Sequence, residues 1–163
     1  VVGPAGSNGA TGLAGATGSN GTVGGAEFIR IIQEPNNSVP PGTAFTIDTQ
    51  VFNSISSLTY GAGAGGTVFT FSSPGTFILD YEMRLGAAGS VAIYKGATSG
   101  SLAIDTNTVA GSSTATTWIH GRAFVVVTTS LVVAISSVVG TAAVVLAGTS
   151  SEYMIRLTVL QIA

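Results

Sequence analysis

Few residues in this chain could do chemistry. His120 is the only histidine and lies beside Arg122 in Trp118-Ile119-His120-Gly121-Arg122. With Asp80 or Asp105 as the orienting acid and serine plentiful, a serine–histidine–aspartate relay can be drawn on paper. Plentiful serine makes that match worthless as evidence, and the plain reading of His120 is a strand residue bonded to backbone or solvent. The chain has no cysteine, which removes thiol chemistry and leaves zinc without its usual Cys and His ligand sets. Calcium needs clustered oxygen ligands. Only Asp80 and Glu82 are near neighbours, on an outward-facing set. The run 61–66 (GAGAGG) has no following Gly-Lys-Ser/Thr and no expected helix, so it is not a phosphate loop. A mobile loop or tight corner that needs positive φ is expected there. No catalytic residue, cofactor or metal is expected, and the chain reads as a non-enzyme.

The informative spacing belongs to glycine. Gly3, Gly6, Gly9, Gly12, Gly15, Gly18, Gly21 and Gly24 fall in strict register of three. Only glycine fits at the crowded axis of three wound polyproline-II chains, so an unbroken G-X-Y period reads as a collagen triple helix. A flexible Gly/Ser linker has no reason to keep that period. Residues 1–25 are therefore expected to form a collagen-like stalk. Three parallel chains make the whole molecule a homotrimer. Pro4 is the only proline in the stalk, which spans roughly 70 Å at about 3.1 Å per residue. So short and proline-poor a stalk needs residues 26–163 to supply the trimer.

Those remaining residues, about 138, suit one compact domain. Only 7% of the 163 residues are charged, and the net charge is −2. About a quarter is usual for a soluble domain, so much surface is expected to be hidden in subunit contacts. Five scattered Lys and Arg residues make no basic patch, which argues against nucleic acid as a partner. Residues 123–151 carry no charge and are long enough to cross a bilayer. Val, Ile and Thr dominate them, however, and polar breaks fall at 128–130, 136–137 and 140–141. No cationic cluster flanks the run. It is read as two or three strands buried on both faces and not as a membrane span. Val1 is not preceded by methionine, and no signal-like segment follows it. A processed or trimmed form is expected, with targeting information upstream.

Strands are expected at 26–33, 43–51, 55–60, 67–72, 76–85, 90–95, 101–109, 114–128, 131–138, 142–146 and 152–162. The clearest is 76–85 (TFILDYEMRL), with Phe77, Leu79, Tyr81 and Met83 on one face and Ile78, Asp80, Glu82 and Arg84 on the other. No window shows a capped helical stripe. Short strands at near-regular spacing read as an all-β sandwich or jelly roll.

The stretch 69–81 (FTFSSPGTFILDY) has an aromatic strand, a Pro-Gly turn and a second aromatic strand. In this it resembles the trimeric jelly-roll heads of the complement and tumour-necrosis-factor superfamily. The end of the chain, Leu157-Thr158-Val159-Leu160-Gln161-Ile162-Ala163, is similar to that family's buried C-terminal strand near the trimer axis. A collagen stalk with a low-charge β head also resembles bacterial collagen-like spore-surface glycoproteins of the Bacillus exosporium type. The GAT triplets look like their repeats. That resemblance implies possible O-linked sugar on Thr11 and Thr17, at Y positions. It also implies a head core or trimer interface that includes Phe69, Phe71, Phe77, Leu79, Tyr81, Phe124, Leu157 and Val159. The stalk departs from the pattern in being short and proline-poor, as a spore-appendage subunit could be.

The function expected is structural. A homotrimeric stalk and head would form surface hairs or filaments outside the cell, on a spore, with trimers joined head to tail. The alternative is a ligand-binding or adhesive head that presents the loops at 61–66, 86–90 and 96–100. These are poor in the Tyr, Trp and Arg that recognition surfaces favour.

Overall fold

The computed structural model describes residues 2–3, 23–31, 37–114, 117–141, 143–146 and 153–162. Gly6 to Gly21, Thr11 and Thr17 lie outside the described residues. Of the periodic glycines, Gly3 and Gly24 lie within them.

The fold is an all-β jelly roll of two antiparallel sheets. The first is organised around β6 (Gly75–Leu85). One edge of β6 pairs along its whole length with β10 (Thr117–Val127). Its other edge takes β13 (Tyr153–Gln161), which pairs in turn with β1 (Gly24–Ile31), and β1 with β3 (Thr49–Asn53). Beyond the end of β13, β12 (Val144–Leu146) meets β6 at Leu85 and carries β2 (Asn37–Val39). The second sheet runs β4 (Leu58–Gly63), β5 (Gly66–Phe71), β11 (Leu131–Ser137), β7 (Gly89–Gly96) and β8 (Ala103–Ile104), with β9 (Ala110–Ser112) also on β7.

Period-two alternation builds the core. Phe77, Leu79, Met83 and Leu85 of β6 are fully buried, and Phe28, Phe69, Phe71, Ile93, Leu157 and Val159 meet them from the other strands. Phe71 and Phe77 tilt against each other at 4.6 Å between centroids, a geometry that adds about 1 kcal/mol to area burial. Tyr81 is the one large polar side chain here. Its hydroxyl donates to the Thr108 carbonyl at 2.9 Å and lies 3.3 Å from the Val91 carbonyl. Burial pushes its phenol well above the ordinary value. The ring lies across Gly121, where a Cβ would fall 2.3 Å from it. A smaller cluster of Ala44, Val68, Val132 and Ala134 lies apart from the main core.

Three expectations are corrected, and one is narrowed. Residues 43–48 are not the first part of a strand that runs to 51. They wedge between two strands: Phe45 donates to the Ile135 carbonyl, and its own carbonyl accepts from Thr67. Ala44 makes only an isolated bridge to Ser136, and the ladder begins at Thr49. Of the two forms expected for the GAGAGG run, the structure has the tight corner and not the mobile loop. Gly61 to Gly63 end β4, Gly66 opens β5, and Ala64 (φ 52°) and Gly65 (φ 81°) make a two-residue turn. Residues 101–109 are not one strand. After two residues of β8, Asp105 accepts the Asn107 N–H at 3.2 Å and starts a 3-10 turn at Thr106–Thr108. Finally, the apolar run from 123 is buried on both faces only in β11. In β10, Phe124 and Val126 are 65% and 67% exposed.

Candidate functional site: the outer face of the β6 sheet

Among the described residues the outer face of the first sheet collects most of the charged side chains, Glu27, Asp80, Glu82, Arg84, Arg122 and Arg156, and large exposed apolar ones such as Phe52, Trp118 and Phe124. Each strand places alternate residues there, and antiparallel register lines them up in cross-strand rows. One row is apolar: Phe124 of β10, Ile78 of β6, Leu160 of β13 and Gly25 of β1. Gly25 leaves room for the Phe52 ring, whose edge would be 3.4 Å from a Cβ added at Gly25. Val126 lies beyond this row, opposite Thr76, as does Ile162, whose N–H bonds the Thr76 carbonyl. Phe52, Leu160 and Ile162 are 47%, 40% and 43% exposed. The apolar row therefore sits at the end of the face where Gly24 enters β1.

The next two rows are ionic. Arg122, Asp80, Thr158 and Glu27 form one, and His120, Glu82 and Arg156 the other. Arg122 clasps Asp80 through Nε and Nη2, with Nε contacts of 2.9 and 3.0 Å. Asp80 in turn raises the Arg122 pKa further. Arg156 donates Nε to Glu27 at 2.8 Å and reaches Glu82 at 3.5 Å. His120 Nδ1 is 3.7 Å from the second Glu82 oxygen. These six side chains, less Glu27 and with Thr158, surround an open depression of about 570 Å³.

The serine–histidine–aspartate relay drawn from the sequence is not assembled here. The acid that faces His120 is Glu82. Asp80 is held by Arg122, and Asp105 by Lys95 on the other sheet at 2.8 Å. No serine lines the depression. Among the described residues no three His, Cys, Asp or Glu side chains gather as metal ligands. What the face offers is contact: a row of exposed aromatic and aliphatic side chains beside charges already neutralised within the subunit.

Of the residues expected in a core or interface, Phe69, Phe71, Phe77, Leu79, Tyr81, Leu157 and Val159 are buried inside this subunit, and Phe124 projects outward. Sequence reasoning missed Arg122, Arg156, Glu27 and Leu160 as members of one face. The signal within β10 was available, because Trp118, His120, Arg122, Phe124 and Val126 alternate with smaller or buried residues. The Glu27–Arg156 pair had no local signal.

No protein-family model matches the sequence, and no curated protein matches it. Solved structures do match in fold. The globular domain of zebrafish complement 1qA protein superposes with a TM-score of 0.54 at 8% identity, covering 85% of this chain and 95% of that one. Murine APRIL at pH 5.0 gives 0.59 at 8% identity, with 86% and 100% covered. Eiger TNF from S. frugiperda gives 0.58 at 9% identity, with 85% and 92% covered. The chain therefore has a jelly roll of the complement and tumour-necrosis-factor type. Among the described residues no helix is long and apolar enough to cross a membrane.

Proposed function

We propose that this chain is the subunit of an extracellular structural homotrimer. Residues 1–25 form a collagen-like stalk. The jelly-roll head holds three copies together through the outer face of the β6 sheet. The observation that carries the reading is the position of the exposed apolar row. Phe124, Leu160, Ile162 and Phe52 lie at the end of the head where Gly24, the last glycine of the triplet register, becomes the first residue of β1. Joining three heads by that row would bring three chain starts together, as a short triple helix requires. Burial of the ionic rows would leave none of their carboxylates stranded, since Asp80, Glu82 and Glu27 already have cationic partners.

The finer reading is a surface hair or filament on a bacterial spore, in which each stalk contacts the next head. Low charge and deep burial of the apolar strands support a mechanical role. Negative-stain electron microscopy of the full chain, beside one begun at Val23 so that β1 stays whole, tests it. Filaments from the full chain and separate three-lobed heads from the shorter one are expected. Separate stalked trimers from the full chain would overturn the filament and favour display of the head to a ligand.

A further inference from the structure

The edges of the two sheets are guarded unequally. Native edge strands avoid pairing with other chains by being short, bulged or charged. β10 carries His120 and Arg122. β8 and β9 have two and three residues. β3 meets β1 through a register shift at Glu27/Phe28, a bulge. β4 has none of these devices. Its six residues, LTYGAG, hold no charge and no proline, and its register with β5 is unbroken from Leu58 to Gly63. The whole chain between Asp48 and Asp80 is free of charge.

Backbone bonding shows which groups of β4 are open. Thr67 lies opposite Ala62 but gives its N–H to the Phe45 carbonyl. Residues 62 and 67 are thus a non-hydrogen-bonded pair, and by alternation so are 60 and 69. Tyr60 and Ala62 therefore turn their N–H and C=O groups away from β5. Leu58 does the same, but its N–H bonds the Ile55 carbonyl and its carbonyl accepts from Asn53 Nδ2 at 2.9 Å. Among the described residues nothing does this for Tyr60 or Ala62. A depression of about 550 Å³ lies over the hairpin, lined by Tyr60 to Gly63 of β4, Gly65 to Thr67, and Thr46 to Asp48. The Tyr60 ring is fixed beside it by Phe28 and Phe69, at 5.1 and 6.2 Å.

We propose that β4 pairs antiparallel with β4 of a second copy, joining two heads edge to edge. Side-chain size sets the register. Centred on Gly61 against Gly61 of the partner copy, the pair puts each Tyr60 opposite an Ala62 and each Thr59 opposite a Gly63, so large meets small throughout. The same register makes Tyr60 and Ala62 the hydrogen-bonded positions, and these are the groups left open. This contact uses the second sheet, away from the face proposed to form the trimer, so three such edges per trimer would link trimers laterally.

Gly61 supplies the test, because a Cβ there meets nothing within 4 Å and its φ is not positive. Gly61→Lys and Gly61→Glu would each set like charges face to face in the pair and leave the isolated head intact. Sedimentation velocity of the full chain over a concentration series should show a base particle, its doubled form and, for a base particle of three chains, larger lateral assemblies. Each variant alone should lose the doubled form, and an equimolar mixture of the two should regain it. Amide exchange at Tyr60 and Ala62 should slow as the doubled form appears. Doubling that survives in Gly61→Lys, or a wild-type chain that never exceeds its base particle while those amides exchange freely, overturns the proposal. The base particle's own mass, one chain or three, judges the trimer separately.

Discussion

Replacing Gly121 by alanine tests the account of the core. Gly121 faces Tyr81 directly across the β10–β6 ladder. A Cβ at this position would lie 2.3 Å from two ring carbons of Tyr81 and 2.4 Å from its hydroxyl oxygen. The ring is 2% exposed, so clearing that contact means a shift of about 1 Å or more within the packed core. That movement breaks the 2.9 Å bond to the Thr108 carbonyl. Overpacking of this kind costs about 1–3 kcal/mol, and an orphaned buried acceptor adds about 1–3 kcal/mol. Gly121→Ala is therefore expected to lose about 4 kcal/mol, the middle of the combined range. Denaturant unfolding at fixed protein concentration measures this as a shift in midpoint at constant slope. The double variant Gly121→Ala/Tyr81→Leu, which empties the contested space, should fall well short of additivity. A loss below about 0.5 kcal/mol, the range of an ordinary surface substitution, would refute the packing described for Tyr81.

Two further outcomes follow from local geometry. Ala64 adopts φ 52° in the β4–β5 turn, so Ala64→Asn should stabilise by about 0.5–1 kcal/mol, because asparagine tolerates that conformation better; unchanged thermal unfolding would count against this. Lys95 hydrogen-bonds Asp105 and, as the leading cause, holds its carboxyl below the ordinary range, with the Asn107 N–H helping. A lowered folded pKa gives stability that is complete above the unfolded value of about 3.9 and lost as pH falls through the folded one. Asp105→Asn should therefore be the less stable protein near about pH 6 and match the wild type once both carboxyl states are protonated. Denaturant midpoints across that range check the convergence; a gap that persists in strong acid would mean that packing, not charge, is responsible.

Much of the fold was legible because burial in a sandwich imposes period two. In 76–85 the odd positions are apolar and the even ones mostly charged, and the strand follows. Elsewhere local pattern and tertiary bonding diverge. Phe45 and Ile47 alternate like a strand because both are buried, yet the backbone between them serves two different strands. Glycine alone cannot tell a loop from a hairpin, and in 61–66 the decision rests on packing. A Cβ at Gly66 would fall 2.2 Å from the Ala44 carbonyl oxygen, a contact set by a segment twenty residues away. The outer face proposed for the trimer contact was the least legible feature. Glu27 and Arg156 become neighbours only because β1 and β13 pair, and Phe124 reads as core until β10 is seen to be covered on one side.

Sedimentation equilibrium of the full chain beside Phe124→Asp tests the central claim most directly. Phe124 is 65% exposed in the single subunit, so the substitution spares the isolated fold and places an uncompensated charge in the proposed contact. The account predicts three times the 16.1 kDa chain mass, and whole multiples of that mass where trimers join, for the wild type and a shift towards single chains for the variant. A wild-type chain that sediments as a monomer, or a variant that stays trimeric with unchanged affinity, would contradict it.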